Sequence, residues 1–178
     1  MRLAATSQNS LPLRTEQIIL FRASTQVFAI SSASVQEVRS VDSLSGVAVD
    51  INEPSLAKVR HALRRGDRHV YVVNAAVHFG LRPSPAALIF LLRKSRVALL
   101  VDGIEKMSTM SRLQALPGVF CHEERAWYRG LTVIDQNVIP VVHAGGFLVP
   151  DEISLLDALN GSRSFADTTS EPHTDMTL

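Results

Sequence analysis

The chain has 178 residues, 46% of them apolar, with 18 Lys plus Arg against 17 Asp plus Glu, which is enough for one domain with a substantial core. A net charge of +1 gives no large field for nucleic acid, although the basic set is 15 Arg and only 3 Lys, a bias suited to planar bidentate contacts. A single cysteine, Cys121, excludes a disulfide framework and a cysteine-based metal site and agrees with a reducing, cytoplasmic compartment.

The first stretch, Met1 to Leu13, lacks the continuous apolar centre of a signal peptide and is expected to be flexible. Ile18 to Phe21 and Phe28 to Ile30, separated by the polar joint Ser24-Thr25-Gln26, read as a hairpin. Ser34 and Glu37 have capping-box spacing, which predicts a short helix with Val35 and Val38 on one face. Pro54-Ser55 opens a second predicted helix, with Leu56, Val59 and Leu63 inward, before the turn Arg64-Arg65-Gly66-Asp67. Val70 to Val73 is a strand, and Phe79-Gly80-Leu81-Arg82-Pro83 ends this part of the chain.

The longest apolar run, Ala86 to Leu92, is cut by Arg93-Lys94-Ser95-Arg96 before Val97 to Val101. Both pieces are too short to cross a bilayer and read as a second hairpin, so no direct membrane insertion is expected. Asp102 and Glu105 repeat the capping-box spacing, predicting a helix with Ile104 and Met107 on its apolar face. Gly130 to Ile134 and Val138 to Val142 flank the turn Asp135-Gln136-Asn137, and Gly145-Gly146 reads as a turn. Asp151 is placed to cap a last helix with Leu155, Leu156 and Leu159 inward and Asn160-Gly161 as its stop. The Ser, Thr and Asp-rich stretch from residue 161 to 178 is expected to be disordered.

A gapless shift of 69 residues superposes the two parts of the chain. It carries Ile18-Ile19-Leu20-Phe21 onto Ala87-Leu88-Ile89-Phe90, Val35 onto Ile104, and Val72-Val73-Asn74-Ala75 onto Val141-Val142-His143-Ala144. One constant offset across hairpin, following segment and closing strand predicts two similar halves, about 14–83 and 84–160, within an ordered body of 14–160.

No dinucleotide, P-loop, HExxH or GxSxG pattern is present. His61, His69, His122 and His143, with Glu123 or Asp102, are the residues from which a small metal-dependent hydrolase would have to be built, but none forms a close pair with metal-ligand spacing. Cys121-His122-Glu123-Glu124 offers nucleophile, base and carboxylate types in succession, and adjacent side chains point in different directions. No catalytic residue, cofactor or metal is therefore assigned. Binding surfaces remain: the segment Ser34 to Arg39, the Arg64-Arg65 turn, and Trp127-Tyr128-Arg129, where Trp127 is either an anchor or core.

The ordered set of these motifs resembles the CheW-like domain family of bacterial chemotaxis. Val35-Gln36-Glu37-Val38-Arg39 is similar to the family's V-Q-E-I-R segment, Arg65-Gly66 and Arg129-Gly130 to its R-G turns, Leu99-Leu100-Val101-Asp102 to G-L-L-V-D, and Val138-Ile139-Pro140-Val141-Val142 to V-I-P-V-L. The resemblance covers about residues 14 to 158. Departures are His61 at a glycine position, Tyr71 for proline, and Asn74 and His143 where the family has Asp. The resemblance implies a mainly β fold of two pseudo-repeated five-stranded β-barrel subdomains with short helices. It also implies a non-catalytic adaptor that joins the cytoplasmic tip of a methyl-accepting chemoreceptor to the regulatory domain of a chemotaxis-type histidine kinase. Val35, Glu37 and Arg65 would face the receptor, with Arg39, Trp127 and Arg129 as further protein-interaction residues. A self-associating scaffold is the other non-enzymatic reading.

Overall fold

The computed structural model describes residues 15–44, 47–48 and 53–166. In chain order the elements are β1 (Glu16–Ala23), β2 (Gln26–Ser31), β3 (Val35–Ser40), β4 (Val47–Ala48), β5 (Val59–Arg65), β6 (Arg68–Asn74), α1 (Ala75–His78), β7 (Leu88–Leu92), β8 (Val97–Val101), β9 (Gly103–Met110), α2 (His122–Trp127), β10 (Tyr128–Ile134), β11 (Asn137–Val142) and α3 (Pro150–Ala166). Four antiparallel hairpins follow from the turn chemistry. Ser24, Gly66, Lys94, and both Asp135 and Gln136 hold positive φ, the backbone sign that matches tight turns to the right-handed twist of their strands. At φ +60 Gly66 is the one of these residues that reaches this region without a Cβ penalty.

Among the described residues eleven strands form two open sheets, one in the order β10-β11-β2-β1-β9 and the other in the order β3-β7-β8-β6-β5-β4. The expected pair of five-stranded β-barrels is not what forms. Each sheet ends in two edge strands rather than closing its ladder, and one sheet has six strands. A single bridge between Gln114 and Leu131 ties the segment after β9 to β10 without extending either strand. The sheets also exchange hairpins. β1-β2 lies among β9, β10 and β11, while β7-β8 lies among β3, β5 and β6. The exchange is made by two parallel contacts, Val141 beside Ala29 and the longer register from Tyr71 beside Val97 to Asn74 beside Leu100. Under the 69-residue shift β5 falls on β10 and β6 on β11, and the strand order of one sheet becomes that of the other, β4 aside.

Both faces of the central strands are covered, which explains their unbroken apolar runs. Ile19, Phe21, Phe28 and Ile30 from the first sheet meet Tyr71, Val73, Phe90 and Leu99 from the second in a shared core. Ile18, Leu20, Ala29 and Val141 pack on the opposite face of the first sheet, and Val70, Val72, Ile89 and Ala98 on that of the second. Phe21 stacks on Phe28 at 5.8 Å and meets Phe90 edge-on at 5.7 Å, aromatic geometry that fixes how the two sheets face each other.

Both capping-box helices are strands instead. Val35 to Ser40 joins a ladder with β7 that satisfies one side of its backbone and seats Val35 opposite Leu92. Gly103 to Met110 pairs with β1 in the same way. Asp102 is no helix cap, since its carboxylate accepts from the Ser24 amide at 2.7 Å and from the Ser84 hydroxyl, tying the first hairpin turn to the segment before β7. Pro54 begins only a 3-10 turn, Pro54–Leu56, and Val59 and Leu63 belong to β5. The last helix forms, but it continues through Gly161 to Ala166. Only Leu156 of its three predicted inward leucines is fully buried, while Leu155 and Leu159 are exposed. Its anchor is polar: Asp157 accepts from Arg96 at 2.7 and 2.5 Å and from the Tyr71 hydroxyl at 2.6 Å. Residues 1–13 and 167–178 lie outside the described residues.

Candidate interaction surfaces

β3 is an edge strand, so one side of its backbone is unpaired within the sheet while the other is held by β7. A register irregularity between Val35 and Glu37 interrupts the simple alternation of its side chains, so that Val35 and Val38 share one face and Glu37 and Arg39 the other. Val35 is 7% exposed and belongs to the shared core, which removes it from the receptor-facing set proposed for it by resemblance. Val38, 38% exposed, is the apolar residue this strand presents outward. Glu37 and Arg39, two residues apart and therefore on one face, form a bidentate pair at 2.8 and 3.0 Å. The Arg39 guanidinium holds the Glu37 carboxyl below its usual range, with Arg65 adding a smaller pull, and Glu37 raises Arg39 in return.

Arg65 reaches the same neighbourhood from the end of β5 and donates to the Gln36 Oε1 at 3.3 Å. Glu37, Arg39 and Arg65 therefore share one surface. Trp127 and Arg129 do not join it. Trp127 closes α2, half-buried, with its ring 4.7 Å from His78 and 6.2 Å from Phe79. Arg129 lies on β10 and makes a bidentate pair with Glu16 at 2.7 and 3.0 Å, which lowers the Glu16 carboxyl and clamps β10 to the start of β1. Phe79 stacks on Phe28 at 4.3 Å and on Tyr128 at 5.6 Å, so the aromatic cluster around Trp127 is continuous with the core.

His78 is the most perturbed group of that cluster. It is 6% exposed and lies against Trp127 and Phe147, at 4.7 and 4.9 Å, and its Nε2 has no hydrogen-bond partner among the described residues. Burial, with a smaller contribution from Lys58, pushes its imidazole down to about 3, so it stays neutral at physiological pH. Gly146 sits at the cluster's rim because a Cβ there would come within 2.3 Å of the Ala126 carbonyl oxygen.

The histidines named for a hydrolase are dispersed over β5, β6, α2 and the loop after β11. Among the described residues no three His, Cys, Asp or Glu side chains gather as a metal site requires. Cys121-His122-Glu123-Glu124 has a structural explanation. The Glu124 amide donates to Cys121 Sγ at 3.5 Å and the Cys121 amide to the Glu124 carboxylate at 2.9 Å, a capping box that starts α2.

Sequence reasoning missed Gln36, Arg68, Lys94 and Arg96, which line one cleft with Arg65. Its only trace in the sequence is two basic turns, Arg64-Arg65-Gly66-Asp67-Arg68 and Arg93-Lys94-Ser95-Arg96. Their adjacency depends on the parallel pairing of β6 with β8, which places the two turns at the same end of the sheet.

Among the described residues no helix is long and apolar enough to cross a membrane. A sequence model described as the CheW-like domain matches residues 17–149. No curated protein matches the chain. Among solved structures the chain is similar to the scaffolding protein TtCheW from Thermoanaerobacter tengcongensis, with a TM-score of 0.61 at 15% identity, over 78% of this chain and 96% of that one.

Proposed function

Since the chain belongs to the CheW-like domain family, we propose that it acts as a non-catalytic adaptor joining the cytoplasmic tip of a methyl-accepting chemoreceptor to the regulatory domain of a chemotaxis histidine kinase. Family membership itself supports a chemotaxis adaptor or scaffold role, and CheW-like domains are not catalytic. The naming of receptor and kinase as the two partners is our reading.

The observation that carries it is the position of two unlike surfaces on different elements. One gathers Val38, Glu37, Arg39 and Arg65 around the free edge of β3. The other gathers Trp127 and Arg129 at the junction of α2 and β10. An adaptor needs two sites that can be filled at once, and surfaces on separate elements meet that need. At the first site Val38 supplies apolar contact, while the Glu37-Arg39 pair and Arg65 set register and encounter.

The test is titration of the purified chain with a receptor-tip fragment and with a kinase regulatory domain, separately and together. Binding to each, and a ternary complex when both are present, is expected. Folded chain that binds neither overturns the proposal. Val38→Glu is expected to weaken the receptor arm and leave the kinase arm and the circular dichroism spectrum unchanged.

A further inference from the structure

The two sheets each end in a cleft, and the clefts are related by the same 69-residue shift. The smaller, about 330 Å3, includes Gln36, Arg65, Arg68 and Arg96. The larger, about 660 Å3, includes the residues onto which these fall, Glu105, Ile134, Asn137 and Val27. Val70 and Ser95 of the first cleft likewise fall on Ile139 and Gln26 of the second. One position has thus been built twice with different chemistry.

The charge states differ as much as the residues. In the larger cleft the charges are internally neutralised, with Lys106 paired to Asp135 and Glu105 to Arg22. In the smaller cleft four cationic groups converge, Arg65, Arg68, Lys94 and Arg96. Among the described residues only Arg96 of these has a carboxylate ion-pair partner, Asp157 of α3, and Arg65 is held by the neutral Gln36. Among the described residues Arg68 and Lys94 are in no ion pair. Of the nearby acids, Glu37 is already engaged by Arg39, and exposed Asp67 is in no ion pair with these cations among the described residues.

The equivalent cleft, lined without this set of cations, shows that the fold does not require them. Arg at three of the four positions also suits carboxylate forks better than Lys would. We propose that the cleft between the β5–β6 and β7–β8 turns is a docking groove for an acidic segment of a protein partner, with Arg65, Arg68 and Lys94 as the reading groups. The proposal rests on the adaptor reading for its partner class and adds the chemistry of one face.

The test uses the full chain and a fluorescent oligoglutamate peptide followed by anisotropy. The peptide is expected to bind at low salt and to be released as salt rises from about 50 to 200 mM, where the screening length shortens past the reach of exposed charges. Arg68→Glu with Lys94→Glu is expected to weaken binding roughly tenfold or more, with R68Q/K94Q intermediate and the melting curve unchanged. No peptide binding at low salt, or binding indifferent to the charge reversal, overturns the groove. So does tighter binding of duplex DNA than of the peptide. Peptide binding that appears only in D167N/E171Q/D175N assigns the groove to the chain's own C-terminal segment and overturns an external partner. The receptor-tip and kinase-domain arms keep the two proposals apart. If those partners bind and R68E/K94E changes neither, the groove fails while the adaptor reading stands; if only the peptide binds, the reverse holds.

Discussion

The edge strand of one sheet and its counterpart in the other occupy equivalent places and meet opposite fates. β3 and β9 superpose under the 69-residue shift, yet Val35 is 7% exposed in the shared core while its equivalent, Ile104, is 41% exposed. The hairpin ends diverge in the same way, with Arg65 and Arg68 at one and Ile134 and Asn137 at the other. Strand order is retained wherever both faces of a strand are buried, as in β1, β2, β7 and β8. Differences collect at edges and turns, where a substitution changes solvation rather than packing. The positions that carry the fold and those proposed to carry binding are therefore nearly separate sets, and the repeat offers an internal control for each.

The sharpest use of that control is a matched pair of charge insertions. Val35→Glu places a carboxylate in the shared core and is expected to cost on the order of 3–5 kcal/mol, a large fraction of a typical domain's stability. Ile104→Glu at the equivalent exposed site is expected to stay within about 0.5 kcal/mol. Urea melts of the two variants decide the matter, and equal losses would break the assignment of Val35 to the core.

The centre of the pseudo-symmetry gives the next effect. His78 falls on Phe147 under the shift, and the two rings touch. In the unfolded chain the imidazole takes its proton near pH 6.5, but in the folded chain only near about 3. Below pH 6.5 the unfolded state therefore binds the extra proton, and stability falls as pH drops, by about 1.4 kcal/mol per pH unit, until the folded value is reached. His78→Phe, which makes the two positions alike, is expected to remove that slope, read from urea midpoints at pH 7 and pH 5.

Smaller effects come from α3 and from the hairpin ends. Asp157→Asn removes the carboxylate that pairs with Arg96. Because the pair is partly solvated, a loss of about 1 kcal/mol is expected. Asp157 is held below its usual range chiefly by Arg96, so this contribution is present above the unfolded carboxyl value and fades as pH falls through the lower folded one. Thr25→Lys with Asn137→Arg puts cations at the exposed equivalents of Lys94 and Arg68, Asn137 lining the neutral cleft and Thr25 next in the chain to its Gln26. Oligoglutamate is then expected to bind there a few-fold more tightly than to a chain carrying only R68E/K94E, measured in that background.

Much of the strand content was legible from apolar runs and polar joints. Ile18 to Phe21, Val70 to Val73 and Val97 to Val101 all lie inside strands. The capping-box spacings misled because a Ser or Asp followed by Glu three residues later is also compatible with an extended edge. At Val35 and Ile104 the decision belonged to the strand waiting alongside, β7 or β1. Of the candidate interaction residues, Glu37, Arg39 and Arg65 were each named from the sequence, whereas the burial of Val35 turned on its pairing with Leu92 and on the register irregularity before Glu37, which a helical reading does not record.

The sequence by itself determined the apolar strand runs, the offset of 69 residues, the basic turns and the family, because each is a local or periodic property of the chain. Only the tertiary structure decided that the hairpins are exchanged between two open sheets and that the turns before β6 and β8 sit side by side. Parallel neighbours are joined through long connections, and nothing local in either segment records the pairing.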